Sequence, residues 1–439
     1  FKNYLFRFCG EKLKNFCIFM KDDIVAGLDI GSTAVRLVVG QRMSSNESGE
    51  QLRILGAVSV PAEGISRGVV NSIEDTTSAI SACLEKAERL IGVSVSNVWV
   101  GINGPNLKCE KSHGVVAVGR SDNEITEDDV ERAVEAAQAL AVPPNYEILH
   151  VIPVKFTVDN QEDIKDPLGM TGVRLEVEIL IIQGLSSQIK NLTKAIYRTG
   201  LEIEDLVLSP LAASEVVIGH KQKELGVALV NIGASTTSLA VFEEGELLHA
   251  AVLSIGSEHI TADVAIGLRC PINLAERIKL EHGYACAEQF TKKDEIDISD
   301  LAKEENASDE TMVISKKYVA EIIEARVEEI FEKIDNELKK IDRSGMLPGG
   351  IFLIGGGAKL LGLIDVAKNS LRLPVCLGTN RNVTATIDKI NDTTYLTALG
   401  LMTWGNKVKK SKQGSKRGSK GVVGNIIKKI KQRFSSLIP

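Results

Sequence analysis

The chain has 439 residues and a net charge of −6, and 44% of its residues are hydrophobic and 25% charged. This composition is typical of a globular protein and excludes a disordered chain. The sequence contains no run of about 18 uncharged apolar residues, so it predicts no transmembrane helix. The seven cysteines include no CxxC pair and the six histidines no HExxH motif, which argues against a disulfide framework or a zinc site.

The N-terminal stretch, residues 1–23, does not begin with Met and does not read as a signal peptide. Its apolar residues are interrupted by Glu11, Lys12 and Lys14, and no small-residue cleavage site follows. We interpret this stretch as an extension upstream of a start at Met20. A short interfacial anchor is the alternative.

From Ile24 onward, strand and helix patterns follow one another. Apolar runs closed by glycine-containing turns predict strands, and apolar residues at helical spacing predict helices. Strands are predicted as a hairpin in 24–40, singly in 97–104, 147–158, 174–184 and 351–357, and as three strands in 225–256. Helices are predicted in 72–91, 125–142, 257–282, 317–341 and 358–371, with a charged, loop-containing stretch in 286–312. Thr126 and Asp129 resemble a capping box, and Pro143 ends that helix.

Two segments of the sequence echo each other. DIGSTAVRLVVG (29–40) and NIGASTTSLAVF (231–242) both read as an apolar strand, Asp or Asn, Ile, Gly, a hydroxyl-rich turn and a second strand. The repeat predicts two similar lobes. Two such turns facing each other would present backbone N–H groups and hydroxyls to a triphosphate. Each copy alone is better explained as an ordinary hairpin turn, in which Gly, Ser, Asp and Asn are common.

A third segment, IFLIGGGAKL (351–360), combines a buried strand, three glycines and a helix start. Taken alone it is a common strand-to-helix turn. After the two phosphate-type turns, however, it predicts a loop at which the backbone closely approaches an adenosine.

The order of these three segments resembles the actin-like ATPase superfamily and, within it, the FtsA family of bacterial division proteins, over about residues 24–439. Supporting stretches are VNSIEDTTSAI (70–80), SPLAASEVV (209–217), IGSEHITADVAIGL (255–268), AERIKLEHGYA (275–285), PGGIFLIGGGAKLLGL (348–363) and TTYLTALGLMTWG (393–405). The resemblance implies an α/β, two-lobed actin-like ATPase fold with a subdomain inserted in the first lobe and a C-terminal amphipathic helix.

The resemblance also implies ATP and Mg²⁺ as ligands and assigns roles to residues. Asp29 would hold magnesium through water, an ion that prefers hard oxygen ligands. The nucleotide would be bound by Gly31, Ser32 and Thr33 in the first turn, Gly233, Ala234, Ser235 and Thr236 in the second, Glu276 and Lys279 near ribose and base, and Gly355, Gly356, Gly357 and Ala358 at the adenosine. For Glu276 and Lys279 the alternative is a pair of exposed helix charges.

One residue departs from the pattern of the superfamily. Asn231 stands where an Asp is common, so the second turn has no carboxylate to hold magnesium or polarise a water. We therefore expect ATP binding with at most slow hydrolysis, and a protein whose nucleotide serves conformation and assembly.

The resemblance implies the following division of the chain: extension 1–23; first lobe 24–95, 173–208 and 376–406; inserted assembly subdomain 96–172; second lobe 209–255 and 331–375; FtsZ-tail-binding subdomain 256–330; basic flexible linker 407–423; membrane-targeting helix 424–439. The implied partners are a second copy of the chain in a head-to-tail filament, the C-terminal tail peptide of FtsZ, anionic lipids and other divisome proteins. Arg269, Arg277 and Lys279 suit an acidic peptide, although a solvated helix face is the alternative.

Competing hypotheses share the fold but not the function. A pilus-assembly actin-like protein would lack the basic linker and terminal helix. A sugar kinase or acetate kinase needs a catalytic base in the cleft, and no acid-bearing substrate loop is present. A chaperone ATPase would require a substrate-binding domain after the ATPase.

The C-terminal end is strongly basic. Residues 407–439 hold eleven Lys and Arg and no acid, residues 1–21 carry +4, and residues 22–406 therefore carry −21. This asymmetry predicts an anionic partner such as RNA or a lipid surface. Within 424–439, one helical face carries Ile426, Ile427, Ile430, Phe434, Leu437 and Ile438. Sixteen residues give about 24 Å of helix, too short to span a bilayer but suited to the headgroup layer. Taken with this helix, the family resemblance implies a peripheral protein on the cytoplasmic face of the membrane at the division septum. Docking on the protein's own core, or binding RNA, are the alternatives.

Overall fold

The computed structural model describes residues 24–43, 51–119, 122–139, 143–305, 311–381, 383 and 387–414. The extension 1–23 and the helix 424–439, with its six apolar residues, lie outside these residues. In the described part of the chain, no helix is both long and apolar enough to cross a membrane.

The described residues form eighteen strands and eleven α-helices. The strands are Ile24–Ile30 (β1), Ala34–Met43 (β2), Gln51–Pro61 (β3), Ile65–Ser66 (β4), Val69–Val70 (β5), Asn97–Ile102 (β6), Lys108–Ala117 (β7), Tyr146–Val158 (β8), Gln161–Ile164 (β9), Arg174–Leu185 (β10), Glu202–Leu208 (β11), Val227–Ile232 (β12), Thr237–Glu243 (β13), Glu246–Leu253 (β14), Glu295–Asp297 (β15), Val313–Ser315 (β16), Ile351–Ile354 (β17) and Val375–Leu377 (β18). The α-helices are Ile73–Ile91 (α1), Glu127–Ala139 (α2), Ser186–Tyr197 (α3), Ser209–Val217 (α4), His220–Leu225 (α5), Ser257–Leu268 (α6), Ile272–His282 (α7), Ser299–Glu304 (α8), Lys316–Lys339 (α9), Leu363–Leu371 (α10) and Leu396–Gly414 (α11).

Two five-stranded sheets share one topology. The first has the order β11-β6-β1-β2-β3 and the second β14-β13-β12-β17-β18. In each, the first strand pairs antiparallel with a hairpin partner and parallel with a later strand, which in turn pairs parallel with the edge strand. The internal echo in the sequence thus corresponds to two lobes of the same design.

A four-stranded sheet of order β7-β10-β8-β9 lies between β6 and β11 in the chain. Helix α2 packs on it through Val130, Ala133, Val134 and Ala137, all fully buried. The insert predicted as 96–172 overlaps this unit but differs at both ends. β6 lies between β11 and β1 in the first lobe's sheet, and β10 lies between β7 and β8 in the insert's sheet, so the unit runs from β7 to β10.

Three element boundaries differ from the sequence predictions for local reasons. The helix predicted over 257–282 is two helices, because Pro271 follows a left-handed Arg269 and starts α7. The helix predicted from Ala358 begins only at Leu363, after Gly362 with φ +78°. The linker predicted from Lys407 is helical as far as Gly414, where α11 ends.

Helix α11 packs closely on β1 of the first lobe and on α4, the helix with which the predicted second lobe begins. A Cβ at Gly27 in β1 would overlap Ala398 O, and one at Gly400 would overlap the backbone of Ala212 in α4. At its far end, Lys407 pairs with Glu215, and Lys409 lies 3.7 Å from Glu204. Because only glycine permits such an approach, the helix lies directly on the sheet that carries the first predicted phosphate loop.

Candidate nucleotide-binding site

The first predicted phosphate loop joins β1 to β2. Gly31 N donates to Ala34 O at 3.1 Å, which closes a tight turn. Ser32 Oγ accepts a bond from Gly68 N at 3.3 Å, and Thr33 is exposed. The turn therefore presents small, partly exposed residues at the end of the sheet.

The second loop repeats this turn between β12 and β13. Gly233 N donates to Thr236 O at 2.9 Å, the counterpart of the bond at Gly31. The N-terminus of α6 stacks on the loop, since Glu258 N donates to Ala234 O at 2.8 Å. Ser235 Oγ donates to Glu258 Oε2 at 2.7 Å, so this hydroxyl, predicted to contact phosphate, is already engaged within the second lobe.

The glycines of the third loop are not equivalent. Gly355 has φ +91°, and a Cβ there would overlap Asn231 Oδ1. Gly356 faces open space, where the nearest atom to an added Cβ is Thr394 Cγ2 at 3.9 Å. Thr393 holds the loop on its other side, with Oγ1 donating to Gly355 O at 2.9 Å. The strand packing thus requires Gly355, whereas Gly356 leaves room that a ligand would fill.

Gly357 and Ala358 complete this loop as a short 3₁₀ turn, and both are buried. Tyr284, just after α7, forms a bridge with Leu361 and contacts Gly362. The helix that carries Glu276 and Lys279 therefore ends beside the predicted adenosine loop.

Lys279 is 7% exposed and is not a solvated helix charge. Its Nζ donates to Glu276 Oε2 at 2.6 Å, to Thr261 Oγ1 at 2.7 Å and to Ser257 O at 3.3 Å. Ser257 N in turn donates to Gly233 O at 2.9 Å. Glu276 and Lys279 thus belong to one network that reaches the second phosphate loop, and the half-exposed Glu276 is its outer member.

Asp29 lies at the base of the first loop. Removal of its carboxylate from water raises the pKa of Asp29 to about 6, and the charge of Arg36 opposes this effect. An added Cβ on Gly101 would lie 3.5 Å from Asp29 Oδ1 and 2.9 Å from Ser209 Oγ. Ser209 Oγ is buried and has no hydrogen-bond partner among the described residues. A desolvated carboxylate beside an unpaired hydroxyl and a glycine fits a hydrated magnesium ion.

Three residues of this region were missed by sequence reasoning: Asn103, Ser209 and Arg36. Asn103 and Ser209 directly follow β6 and β11, and Arg36 lies opposite Asp29 on β2. The available signal was topological, because ligands of α/β sheets bind beyond the carboxyl ends of parallel strands. Asn103 Nδ2 reaches Thr236 Oγ1 at 3.3 Å and so joins the first lobe to the second loop.

Two lobes of one topology, each presenting a glycine-hydroxyl turn at their junction, define an actin-like ATPase fold. Solved structures agree on this fold. The structure titled "PilM-PilN type IV pilus biogenesis complex" is similar with a TM-score of 0.60 at 17% identity, covering 87% of this chain and 98% of that one. MreB5 of Spiroplasma citri bound to ADP is similar with a TM-score of 0.53 at 12% identity, covering 90% and 99%.

The particular family follows from sequence comparison. A family profile described as "SHS2 domain inserted in FTSA" matches residues 104–183, and one described as "Cell division protein FtsA" matches residues 228–400. Curated relatives with that second name are 34% identical in Pseudomonas aeruginosa, covering 87% of this chain and 89% of the relative, and 35% identical in Bacillus subtilis, covering 87% and 83%. The chain belongs to the FtsA family of cell division proteins, as its sequence predicted. The SHS2 match coincides with the four-stranded insert.

Proposed function

We propose that the chain binds ATP with Mg²⁺ between its lobes, polymerises on the cytoplasmic face of the membrane at the division site, and anchors FtsZ filaments there, with slow or no ATP turnover. One observation carries the nucleotide part: the turns closed by Gly31 N and Gly233 N are duplicates, and Asn103 connects their lobes. Family membership and the ADP-bound MreB5 of the same fold support it.

Each loop has a distinct task in this proposal. The small residues of the two turns would bind the phosphates through backbone N–H groups, and Gly356 would lie against the adenosine. Asp29 would orient the water shell of the magnesium ion, whose positive charge offsets that of the phosphates. Lys279 would hold α6 and α7 in place beside the second loop through its bonds to Thr261 and Ser257.

Slow turnover follows from Asn231. This residue is the last but one of β12, beside the second loop, and its Nδ2 lies 3.5 Å from Thr397 Oγ1. A neutral amide cannot act as a general base toward a water, so the position that Asp29 holds in the first lobe carries no carboxylate in the second. Bound ATP then acts mainly as a ligand that sets conformation and assembly, and its hydrolysis is slow.

The FtsZ tail would dock on the subdomain 256–330. The basic group predicted there has less free positive charge for an acidic peptide than its sequence implies. Arg277 pairs with Glu281 at 2.9 Å and with Glu304 at 2.5 Å, and Lys279 is buried. Exposed apolar residues support the site better. Ile266 is 76% exposed, and Tyr318 lies beside it, with its hydroxyl 3.5 Å from Gly267 O.

Two assays test the proposal. ATP with Mg²⁺ should raise the unfolding temperature of the full chain, and a protein that shows no such shift would contradict the nucleotide part. FtsZ should sediment with anionic liposomes only when the full chain is present, and an FtsZ tail peptide should compete. Failure of both FtsZ and its tail peptide to bind would contradict the anchoring part.

A further inference from the structure

A series of contacts connects the two phosphate loops across the cleft. Ser32 Oγ in the first loop accepts a bond from Gly68 N at 3.3 Å, and Gly68 packs on Gly104. Gly104 N donates to Asn103 Oδ1 at 3.1 Å, and Asn103 Nδ2 donates to Thr236 Oγ1 of the second loop at 3.3 Å. The sequence did not predict this series, because its hydrogen-bonded residues lie up to 133 positions apart.

The network fixes the direction of the Asn103 amide. Its Oδ1 faces the N–H of Gly104, so its Nδ2, which can only donate, faces Thr236. The Thr236 hydroxyl therefore accepts this bond, and its own proton is left for another acceptor. Ser32 is in the same state, since it accepts from Gly68 N. Phosphate oxygens are acceptors, so hydroxyls oriented in this way are suited to bind them.

We propose, on the basis of the ATP site inferred above, that Asn103 is a positioning residue for the triphosphate. It does not need to touch the nucleotide. It acts through Thr236, whose hydroxyl proton it directs toward the bound phosphates, and it keeps the second loop at a fixed distance from the first. Thr236, and not the engaged Ser235, is then the side-chain phosphate ligand of the second loop.

Three substitutions separate positioning from a merely structural role. Asn103→Ala removes the donor. Asn103→Asp retains the shape and can still accept from Gly104 N, but it reverses the bond and consumes the proton of Thr236. Thr236→Val removes the hydroxyl. Asn97→Ala is the control, because Asn97 begins β6, the strand that Asn103 follows, and its amide bonds Glu202 and Glu204 away from the cleft.

The experiment is ATP binding to the full chain with Mg²⁺, by calorimetry, alongside the unfolding temperature without nucleotide. We expect Asn103→Ala to weaken ATP binding by about fivefold and Asn103→Asp by more, with unfolding temperatures near that of the unaltered chain. Asn103→Ala should add nothing in the Thr236→Val background, because both remove the same interaction. The Asn97→Ala control should bind ATP normally.

Two results would overturn the inference while leaving the ATP site intact. In one, Asn103→Asp binds ATP as the unaltered chain does, which means that any bridge suffices. In the other, the losses from Asn103→Ala and Thr236→Val are additive, which means that the residues act separately. If the unaltered chain itself fails to bind ATP, the proposed function is contradicted first and this inference with it.

Discussion

Asp29 and Asn231 occupy the same place in the two lobes, and only one of them is charged. Each lies two residues before a loop glycine, and each pairs across its hairpin with the residue seven positions later, Arg36 and Ser238 respectively. The first lobe thus sets a carboxylate and a guanidinium at the cleft, and the second lobe sets an amide and a hydroxyl at the matching points.

This asymmetry predicts that Asn231→Asp increases ATP hydrolysis. The new carboxylate occupies the same volume and would polarise a water from the second lobe, so we expect phosphate release to rise by about tenfold or more. Steady-state phosphate release measures it. Asn336→Asp, on the exposed surface of α9, is the matched control. Unchanged release by Asn231→Asp, with ATP still bound, would show that the missing carboxylate is not what limits turnover.

Adjacent glycines should respond differently to substitution. Gly356→Asp puts bulk and charge into open space, so we expect the protein to fold normally and to lose ATP binding. Gly355→Ala forces a Cβ into Asn231 at φ +91° and should lower the free energy of unfolding by about 1–3 kcal/mol. Chemical denaturation and ATP titration of both variants check this. If the Gly356→Asp protein still binds ATP, the adenosine does not lie against Gly356.

The insert should depend on Asp129 in a pH-dependent way. Burial alone would raise the pKa of Asp129, but hydrogen bonds from Thr126, Arg132 and Gly119 together lower it to about 2. A lowered pKa stabilises the fold above the unfolded value of 3.8, and this stability is lost as the pH falls from about 4 through 2.

Accordingly, Asp129→Asn should lower the free energy of unfolding at pH 7 by about 2 kcal/mol and should flatten the loss of stability between about pH 4 and 2. Asp128→Asn is the control, because that side chain is 83% exposed. Urea unfolding at a series of pH values measures both. Equal behaviour of the two variants would mean that the bonds to Asp129 contribute no net stability.

The proposed head-to-tail contact of the insert predicts that surface charges on it block assembly. Val115 on β7 is 47% exposed and Val173, just before β10, is 61% exposed. Val115→Glu with Val173→Glu should leave ATP binding unchanged and remove filaments on lipid in electron micrographs. Leu225→Glu, an equally exposed residue of the second lobe, should assemble normally. Filaments of normal length in the double variant would exclude this face.

The sequence of residues 424–439 predicts attachment to anionic membranes through its apolar face. Ile430→Glu with Phe434→Glu should release the protein from anionic liposomes, because burial of each large apolar side chain contributes about 1 kcal/mol or more. ATP binding should persist. Ser419→Glu with Gly421→Glu adds the same charge outside the apolar face and should remain bound in flotation assays. If the Ile430→Glu, Phe434→Glu protein stays bound to the liposomes, the membrane anchor lies in another part of the chain.

The sequence predicted the two lobes because their determinants are local. Strand periodicity and the glycine-hydroxyl turns at Gly31 and Gly233 can be recognised within about ten residues of sequence, and both turns form the same backbone hydrogen bond. The boundary of the insert cannot be recognised from such short stretches. The apolar run of β6 resembles those of β8 and β10, and only its pairing with β1 and β11 assigns it to the first lobe.

Contacts between distant residues account for the other differences. Lys407 and Lys409 look like linker residues by composition, yet Glu215 and Glu204, about 200 positions earlier, hold them in α11. The partner of Asn103 is likewise in another lobe. Such pairs become visible only once the sheets bring their strand ends together.

Helix α11 also determines which lobe is stationary relative to the tail. Its first residues lie beside Asn231 and the adenosine loop, and its last residues precede the basic segment about 28 Å away. Contacts with Gly27, Glu204 and the carbonyl of Ile24 hold it against the first lobe, and contacts with Ala212 and Glu215 hold it against α4. If the tail holds a membrane, the first lobe and α4 keep their orientation to that surface, and any opening of the cleft moves the rest of the second lobe, with its subdomain 256–330, relative to the membrane.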